Sequence, residues 1–259
     1  MQEFIALANS MADIAGEIIK KYYRKPFNID KKEDNSPVTV ADLEVEQALR
    51  EFLAKHRPDD GIYGEEYNPI PSKSGLTWVI DPIDGTKSFM IGRPTFGTLI
   101  ALCDGDTPKL GILDQPILKE RWLGIDGLPT TMNGKSVQTR KCDSIDKACI
   151  GATTPMMFDK LSEYDRAYEI FECGTSNMVW GGDCYMYGLI ASGFMDVAFE
   201  QNLSPYDFAA LVPIITGAGG HISDWRGDPL TLKSAGKVLA LGDPNLWSEI
   251  SYMILKSPY

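Results

Sequence analysis

The segment at residues 78–86 constrains this chain more than any other, because an apolar strand there runs directly into two acids. Its sequence is WVIDPIDGT, in which Pro82 favours an extended backbone at Asp81 and Asp84 follows three residues later. We predict a turn between the two aspartates, so that both carboxylates face one point with the Ile83 carbonyl between them. Carboxylate, carbonyl and water oxygens are the ligands that Mg²⁺ prefers. The segment therefore predicts either a divalent-metal site or an ordinary capped turn.

Gly85 and Thr86 add a second chemistry to this segment. Gly85 permits a sharp turn, and Thr86 presents a hydroxyl and a backbone N–H where a short helix is predicted to begin. Backbone N–H groups in that position suit a phosphate dianion. The chain has 25 Lys and Arg against 36 Asp and Glu, a net charge of −11. That balance disfavours nucleic acid and anionic membranes as partners, and it makes phosphate binding dependent on a local device such as a metal ion.

Other acidic positions can likewise be interpreted as part of a functional site or as having an ordinary structural role. Glu65 and Glu66 follow a short extended segment, where they repel each other unless they are exposed or neutralised by a cation. Asp207 begins an apolar helix, and Asp42 stands at the third position of a helix that Thr39 can cap. The simpler alternatives are a solvated loop for the two glutamates and helix capping for the two aspartates.

Hydrophobic periodicity predicts a mixture of helices and strands. An amphipathic helix is predicted over about 2–24, an exposed loop or hairpin over 30–35, and an antiparallel three-stranded meander over 96–126. Beyond Asn133-Gly134 short strands alternate with helices, which include 159–172 and 205–219. This mixture predicts an α/β (α+β) layered sandwich, with alternating layers of helices and sheets.

The change of pattern places a boundary near 130–148. An N-terminal α+β half, 1–145, would then carry most of the candidate metal ligands, and a C-terminal α/β half, 146–259, would carry Asp207 and the substrate-recognition residues. The two halves can also form one continuous unit. The apolar runs are far shorter than a membrane span, and five cysteines without a C-x-x-C pair indicate reduced thiols. We therefore expect a cytoplasmic protein.

Three strings together resemble the inositol monophosphatase family. They are WVIDPIDGT, the upstream GEE and the downstream YDFAALVPIITGAGG, and SPVTVAD and GLIASGFMDVAFE extend the similarity over nearly the whole chain. The resemblance implies the layered fold of that family. It also implies a homodimer and a Mg²⁺-dependent, lithium-sensitive phosphomonoesterase that acts on a small-molecule phosphate ester.

The resemblance further implies two or three Mg²⁺ ions per active site. Glu65, Asp81 and the Ile83 carbonyl would hold a first ion. Asp81, Asp84 and Asp207 would hold a second ion, with Asp81 bridging the two. A weaker third ion would share Glu65.

The catalytic roles that the resemblance implies fall on neighbouring positions. Thr86, hydrogen-bonded to Asp42, would act with Glu65 to orient and deprotonate the attacking water. The N–H groups of Gly85 and Thr86 would bind phosphate. Glu66 would lie next to the metal ligands without contacting the metal itself. In a two-metal mechanism a metal-activated water attacks the phosphoryl group, so no covalent phosphoenzyme is needed.

Within the family, three features are similar to the histidinol-phosphate phosphatase branch. They are Lys87-Ser88 after the D-G-T string, Asp183 and Cys184 in GGDCYMYG, and the stretch over 96–122. The product alcohol of that branch carries an amine and an imidazole. The resemblance therefore predicts hydrolysis of histidinol phosphate, a step of histidine biosynthesis.

A cationic leaving group favours carboxylate acceptors beside it. Asp183, predicted at a helix N-terminus, and Glu200, predicted at a strand end, would supply them, and Asp84 and Asp207 would also contact the substrate. The alternatives are a plain helix cap for Asp183 and a surface acid for Glu200. For the whole chain, an inositol-1-phosphate phosphatase or a broad-specificity sugar phosphatase stays open, as does a non-catalytic regulatory binding protein.

Overall fold

The computed structural model describes residues 1–26, 29–31, 37–158 and 177–256. The helix predicted over 159–172 lies outside these residues, as does most of the segment predicted as a loop or hairpin over 30–35. In chain order the helices are α1 (Gln2–Tyr22), α2 (Val40–His56), α3 (Thr86–Met90), α4 (Tyr185–Ala191), α5 (Pro205–Phe208), α6 (Leu211–Gly217) and α7 (Trp247–Lys256).

Strands of the described residues form one seven-stranded sheet, one five-stranded sheet and one two-stranded hairpin. The strands are β1 (Ile29–Lys31), β2 (Pro37–Thr39), β3 (Gly61–Gly64), β4 (Leu76–Asp84), β5 (Gly97–Asp104), β6 (Thr107–Gln115), β7 (Glu120–Ile125), β8 (Leu128–Met132), β9 (Lys135–Ser136), β10 (Ile150–Ala152), β11 (Met178–Trp180), β12 (Val197–Glu200), β13 (His221–Ser223) and β14 (Val238–Leu241). The large sheet runs in sequence order from β3 to β9, and the smaller one in the order β11-β10-β12-β14-β13.

The two principal sheets alternate with helices to give five layers. Helices α1 and α2 pack on one face of the large sheet, and α4 and α6 lie between its other face and the small sheet. Helix α7 covers the far face of the small sheet. Because successive side chains of a strand point to opposite faces, Val79 faces the middle layer while Trp78 and Ile80 face α1 and α2. The layered sandwich predicted from the sequence is confirmed.

Two glycines let the middle layer approach the large sheet at backbone distance. A Cβ placed on Gly111 of β6 would come within 1.9 Å of the Ala210 carbonyl oxygen. A Cβ on Gly124 of β7 would come within 2.3 Å of the Ile214 nitrogen. Neither position tolerates a side chain without movement of the helix backbone. The contact therefore fixes where α5 and α6 lie, and with them Asp207.

The structure corrects two local predictions. No turn separates Asp81 from Asp84, because β4 continues to Asp84 and its register against β5 shifts between the two acids. This irregularity accommodates Pro82, which has no N–H to give to the ladder. The helix predicted over 205–219 is divided into α5 and α6. In a continuous helix the Pro213 ring would clash with the carbonyl four residues earlier, and Pro213 has no N–H to donate to it.

Other predicted elements agree with the structure. The meander is formed by β5, β6 and β7, and it continues into β8 and β9, which the sequence analysis missed because their residues are largely polar and exposed. Thr39 and Asp42 form the predicted capping box of α2. Among the residues described, none of the helices combines the length and the apolar composition that crossing a bilayer requires. The boundary near 130–148 stays a proposal, and residues from both of its sides share the middle-layer core.

Candidate active site

Three aspartates from two separate elements meet near the C-terminal end of β4. Asp81 and Asp84 come from β4, and Asp207 comes from α5. Each offers one carboxylate oxygen, and these three oxygens lie within 4.8 Å of one another. Such spacing allows one divalent cation to contact all three carboxylates.

Backbone N–H groups hold two of these carboxylates in place. The Asp207 Oδ2 atom accepts the Ser204 N–H at 2.6 Å, which completes a capping box at the start of α5. The Asp84 Oδ2 atom accepts the Cys184 N–H, also at 2.6 Å. The helix-capping role weighed for Asp207 is therefore real, and it is compatible with metal binding through the other oxygen.

The electrostatics of the cluster favour a bound cation. Burial, followed by the charges of Glu65, Asp84 and Asp207, raises the pKa of Asp81 well above its usual range. Desolvation and the Asp207 charge likewise raise the pKa of Asp84, and desolvation and the Glu65 charge raise the pKa of Asp207 to about 7. The Asp81 Oδ1 atom is buried and has no hydrogen-bond partner in the part of the chain that the structure describes. A divalent ion supplies both the missing partner and the missing positive charge, so these residues fit Mg²⁺.

Asp42 and Thr86 lie together as the sequence analysis expected. The Thr86 hydroxyl reaches Asp42 Oδ1 at 3.4 Å and the Ile83 carbonyl oxygen at 3.2 Å. Asp42 is fully buried, and its Oδ2 atom accepts the Thr39 N–H at 2.8 Å. Burial raises the pKa of Asp42 to about 6. The threonine hydroxyl is thus held between a carboxylate of α2 and a carbonyl of β4.

A cavity of about 220 Å³ opens beside the cluster. Its described lining residues are Glu65, Asp84, Gly85, Thr86, Lys87, Thr153, Met157, Asp183, Cys184, Tyr187, Glu200, Leu203 and Asp207. The cavity therefore brings together most of the residues singled out in the sequence, while Asp42, Asp81 and Ile83 are not among its lining. Among these lining residues Lys87 is the one basic side chain.

Asp183 does not have the helix-capping role that was considered as its alternative, because α4 begins with Cys184 at its N-cap position and has no side-chain cap hydrogen bond. It adopts a left-handed backbone with φ of 46°, and its Oδ2 atom accepts the hydroxyls of Ser88 at 2.6 Å and Thr95 at 2.7 Å. It also packs against Gly85, where an added Cβ would come within 2.8 Å of the Asp183 Cγ atom. Gly85 itself has φ of 80°, so both its backbone and its neighbour require glycine. Asp183 thus joins the turn before α4 to α3.

Glu200 is not the surface acid considered as its alternative role. Its side chain is buried, its Oε1 atom accepts the Thr153 N–H at 2.9 Å, and its Oε2 atom accepts the Tyr187 hydroxyl at 2.8 Å. Burial raises the pKa of this carboxyl. The sequence analysis missed Thr153 and Tyr187, although a tyrosine inside the apolar α4 was a usable sign of a polar partner.

The raised pKa of Asp207 predicts how the metal-free protein responds to pH. In the folded state this carboxyl keeps its proton up to about pH 7, whereas its ordinary pKa is 3.8, so raising the pH removes a proton only from the folded state. Stability should therefore fall by on the order of 1 kcal/mol between about pH 6.5 and about pH 8, roughly 2–4 °C in Tm. Thermal unfolding in EDTA at the two pH values measures this change, and saturating Mg²⁺ should abolish it.

Asp207→Asn is the control for this pH dependence. It removes the Asp207 carboxyl, while the other groups with shifted pKa values are kept, among them Asp81 and Asp84 with raised values and the half-buried His221 with a lowered one. A slope in Asp207→Asn as steep as in the wild type would contradict the assignment.

Comparisons with known proteins identify a family and similar folds. The model of the inositol monophosphatase family matches residues 1–253. Bifunctional phosphatase IMPL2, chloroplastic, from Arabidopsis thaliana is 45% identical over 242 residues, which are 93% of this chain and 69% of that protein. The histidinol-phosphatase of Chlorobaculum parvum is 35% identical over 239 residues, 91% of each chain. A solved structure of an inositol monophosphatase from Zymomonas mobilis has a TM-score of 0.89 and 44% identity, over 98% of each chain.

Proposed function

This chain belongs to the inositol monophosphatase family of phosphoric monoester hydrolases, and on that premise we propose that its substrate is histidinol phosphate. The observation that carries the proposal is the pair Asp183 and Glu200, two buried carboxylates that line the same cavity as Asp84 and Asp207. The leaving group, histidinol, is a cation, and carboxylates are the acceptors that a cation favours. The similarity to a histidinol-phosphatase at 35% identity supports this choice.

Members of this family are metal-dependent phosphatases that generally use Mg²⁺, and we propose that two or three ions bind here. Glu65, Asp81, Asp84, Asp207 and the Ile83 carbonyl would hold them. When bound, the ions supply Lewis acids for the phosphoryl oxygens and lower the pKa of a water molecule. They also let a chain with a net charge of −11 accept a phosphate dianion.

The side chains of the protein then prepare an in-line attack by water. The Thr86 hydroxyl, held by Asp42, orients the attacking water, and Glu65 accepts its proton. The N–H groups of Gly85 and Thr86 donate to the phosphate oxygens, which fixes the phosphorus in line with the water. Asp183 and Glu200 bind the amine and imidazole of the leaving alcohol on the opposite side.

A panel of phosphate esters tests the substrate assignment. Mg²⁺-dependent phosphate release should be measured as kcat/KM for histidinol phosphate, myo-inositol 1-phosphate, glycerol 2-phosphate and adenosine 3′,5′-bisphosphate. Histidinol phosphate should give the highest value. A higher value for the inositol ester would favour the second candidate, an inositol-1-phosphate or broad-specificity sugar phosphatase, which the similarity to the Zymomonas mobilis enzyme supports.

Asp183→Asn should separate the two candidates. The amide keeps an oxygen that can accept the hydroxyls of Ser88 and Thr95 but loses the charge that binds an amine. We expect kcat/KM for histidinol phosphate to fall by roughly tenfold or more, the value of one charge-assisted hydrogen bond, with a smaller loss for myo-inositol 1-phosphate. Asp143→Asn, at an exposed position, is the matched control. Equal losses for both esters would argue against an amine contact.

We further propose that the protein is a homodimer that acts in the cytoplasm in histidine biosynthesis. A non-catalytic regulatory role is disfavoured, because the chain retains Glu65, Asp81, Asp84, Thr86 and Asp207, any of which a pure binding module could lose. Molar mass in solution tests the dimer. Rescue of growth without histidine, in cells lacking histidinol phosphatase, tests the biosynthetic role.

A further inference from the structure

A second buried acid lies one helical turn after Asp42, and neither the candidate site nor the proposed function uses it. Glu46 of α2 has no solvent-exposed surface. Its Oε2 atom accepts the Glu66 N–H at 2.7 Å, and its Oε1 atom accepts the Tyr67 N–H at 3.3 Å. Both oxygens are therefore bonded to the backbone of the segment that follows Glu65.

Gly64 lets this carboxylate approach the chain. A Cβ at Gly64 would lie 2.0 Å from Glu46 Oε1 and 2.4 Å from the Glu46 carboxyl carbon. Gly64 does not have the left-handed backbone that favours glycine, so the reason for glycine here is space. The Glu46 carboxylate rests directly on the end of β3, just before the proposed metal ligand Glu65.

Arg50 completes the arrangement. Its Nε atom donates to Glu46 Oε1 at 2.8 Å, and its Nη2 atom donates to the Tyr67 carbonyl oxygen at 2.9 Å. The guanidinium supplies a positive charge beside a carboxylate that is fully buried. It also binds the same segment, so the backbone of Glu66 and Tyr67, directly after Glu65, is held by three hydrogen bonds.

We propose that Glu46 is a positioning residue that aims the Glu65 carboxylate at the metal and the attacking water. The inference rests on the proposed role of Glu65 in the phosphatase reaction. Asp42 and Glu46 are four residues apart and so lie on the same face of α2. Asp42 holds the Thr86 hydroxyl and Glu46 holds the segment of Glu65, so a single helix aligns both groups that act on the water.

Glu46→Gln tests this role, because it keeps the shape of the side chain and replaces one acceptor oxygen by a donor. One of the three N–H groups around the carboxylate then loses its acceptor. We expect kcat to fall by about 10- to 100-fold, KM for the phosphate ester to change less than threefold, and Mg²⁺ to bind at least fivefold more weakly. Titration calorimetry with Mg²⁺ alone measures the binding independently of turnover. Glu51→Gln, an exposed glutamate on the same helix, should behave as the wild type in both measurements.

Gly64→Ala tests the same contact by changing the residue against which the Glu46 carboxylate packs. The added methyl group should displace the Glu46 carboxylate and reproduce the weaker Mg²⁺ binding. Glu46→Asp, which shortens the acid, should restore part of the affinity in the Gly64→Ala background, so the double variant should lose less than the two single variants together. Strictly additive losses would overturn the inference.

The outcomes separate this inference from the proposed function. A wild-type protein that binds Mg²⁺ but hydrolyses none of the phosphate esters would refute the phosphatase assignment alone. An active wild type, with Glu46→Gln equal to it in kcat and Mg²⁺ affinity, would refute the positioning role alone. If circular dichroism shows that Glu46→Gln does not fold, Arg50→Gln decides, since weaker Mg²⁺ binding would support the role and unchanged binding would overturn it.

Discussion

Asp84→Asn should lower kcat for phosphate ester hydrolysis by about a thousandfold or more, which corresponds to about 4 kcal/mol of transition-state stabilisation. The amide keeps an oxygen that can accept the Cys184 N–H, so the local hydrogen bond can persist. What is lost is one of three carboxylates whose oxygens lie within 4.8 Å of one another, and with it a ligand for the proposed catalytic cation.

Stability should move in the opposite direction from activity. Desolvation and the charge of Asp207 raise the pKa of Asp84, so removal of the charge relieves a repulsion in the metal-free protein. We expect Asp84→Asn in EDTA to unfold at the same temperature as the wild type or at a higher one, and to gain less from added Mg²⁺.

The matched control for Asp84→Asn is Asp104→Asn, at an exposed position on the neighbouring strand β5. It should retain normal turnover and the normal response to Mg²⁺. Turnover of Asp84→Asn within tenfold of the wild type would remove the support for a metal site at the end of β4.

Gly111→Ala should destabilise the protein by about 3 kcal/mol or more, because its Cβ would lie 1.9 Å from the Ala210 carbonyl oxygen. No flexible side chain can move aside there, since the obstacle is the backbone just before α6. Any relaxation must therefore move α5 and α6 away from the sheet. Because Asp207 is on α5, the folded molecules that remain should also bind Mg²⁺ weakly.

Urea unfolding of Gly111→Ala with and without Mg²⁺ measures both effects. Gly127→Ala is the control. No atom of the described residues lies within 4 Å of a Cβ placed there, so only the positive φ of 77° is penalised, which costs about 1 kcal/mol. If Gly111→Ala cost no more than Gly127→Ala, the close contact of sheet and helix backbones would not be a determinant of this fold.

The acids of β4 show how far a sequence can be interpreted locally. An apolar run that ends in Asp81 and Asp84 predicted both the strand and the convergence of its carboxylates. The turn predicted between them was wrong, because the register shift that carries Pro82 depends on pairing with β5. A shift of this kind is a property of two strands, and neither strand encodes it alone.

Long-range contacts set a second limit. Family resemblance, and no local spacing, indicated that Asp207 would join the β4 acids. The left-handed backbone of Asp183 and its hydrogen bonds to Ser88 and Thr95 come from segments distant in sequence. The burial of Glu200 likewise depends on the close-packed strands around it. The identity of the acids was therefore predictable, whereas the partners that orient them required the structure.

The bonds that Asp183 makes to Ser88 and Thr95 have a consequence for how this scaffold can acquire new substrates. They connect Asp183 to the short stretch that carries the backbone N–H groups proposed to bind phosphate. Adaptation at Asp183 would thus disturb the reaction centre along with ligand preference. In the part of the chain that the structure describes, the hydrogen bonds of the Glu200 carboxylate come from Thr153 and Tyr187, outside that stretch, so diversification should proceed more freely at Glu200.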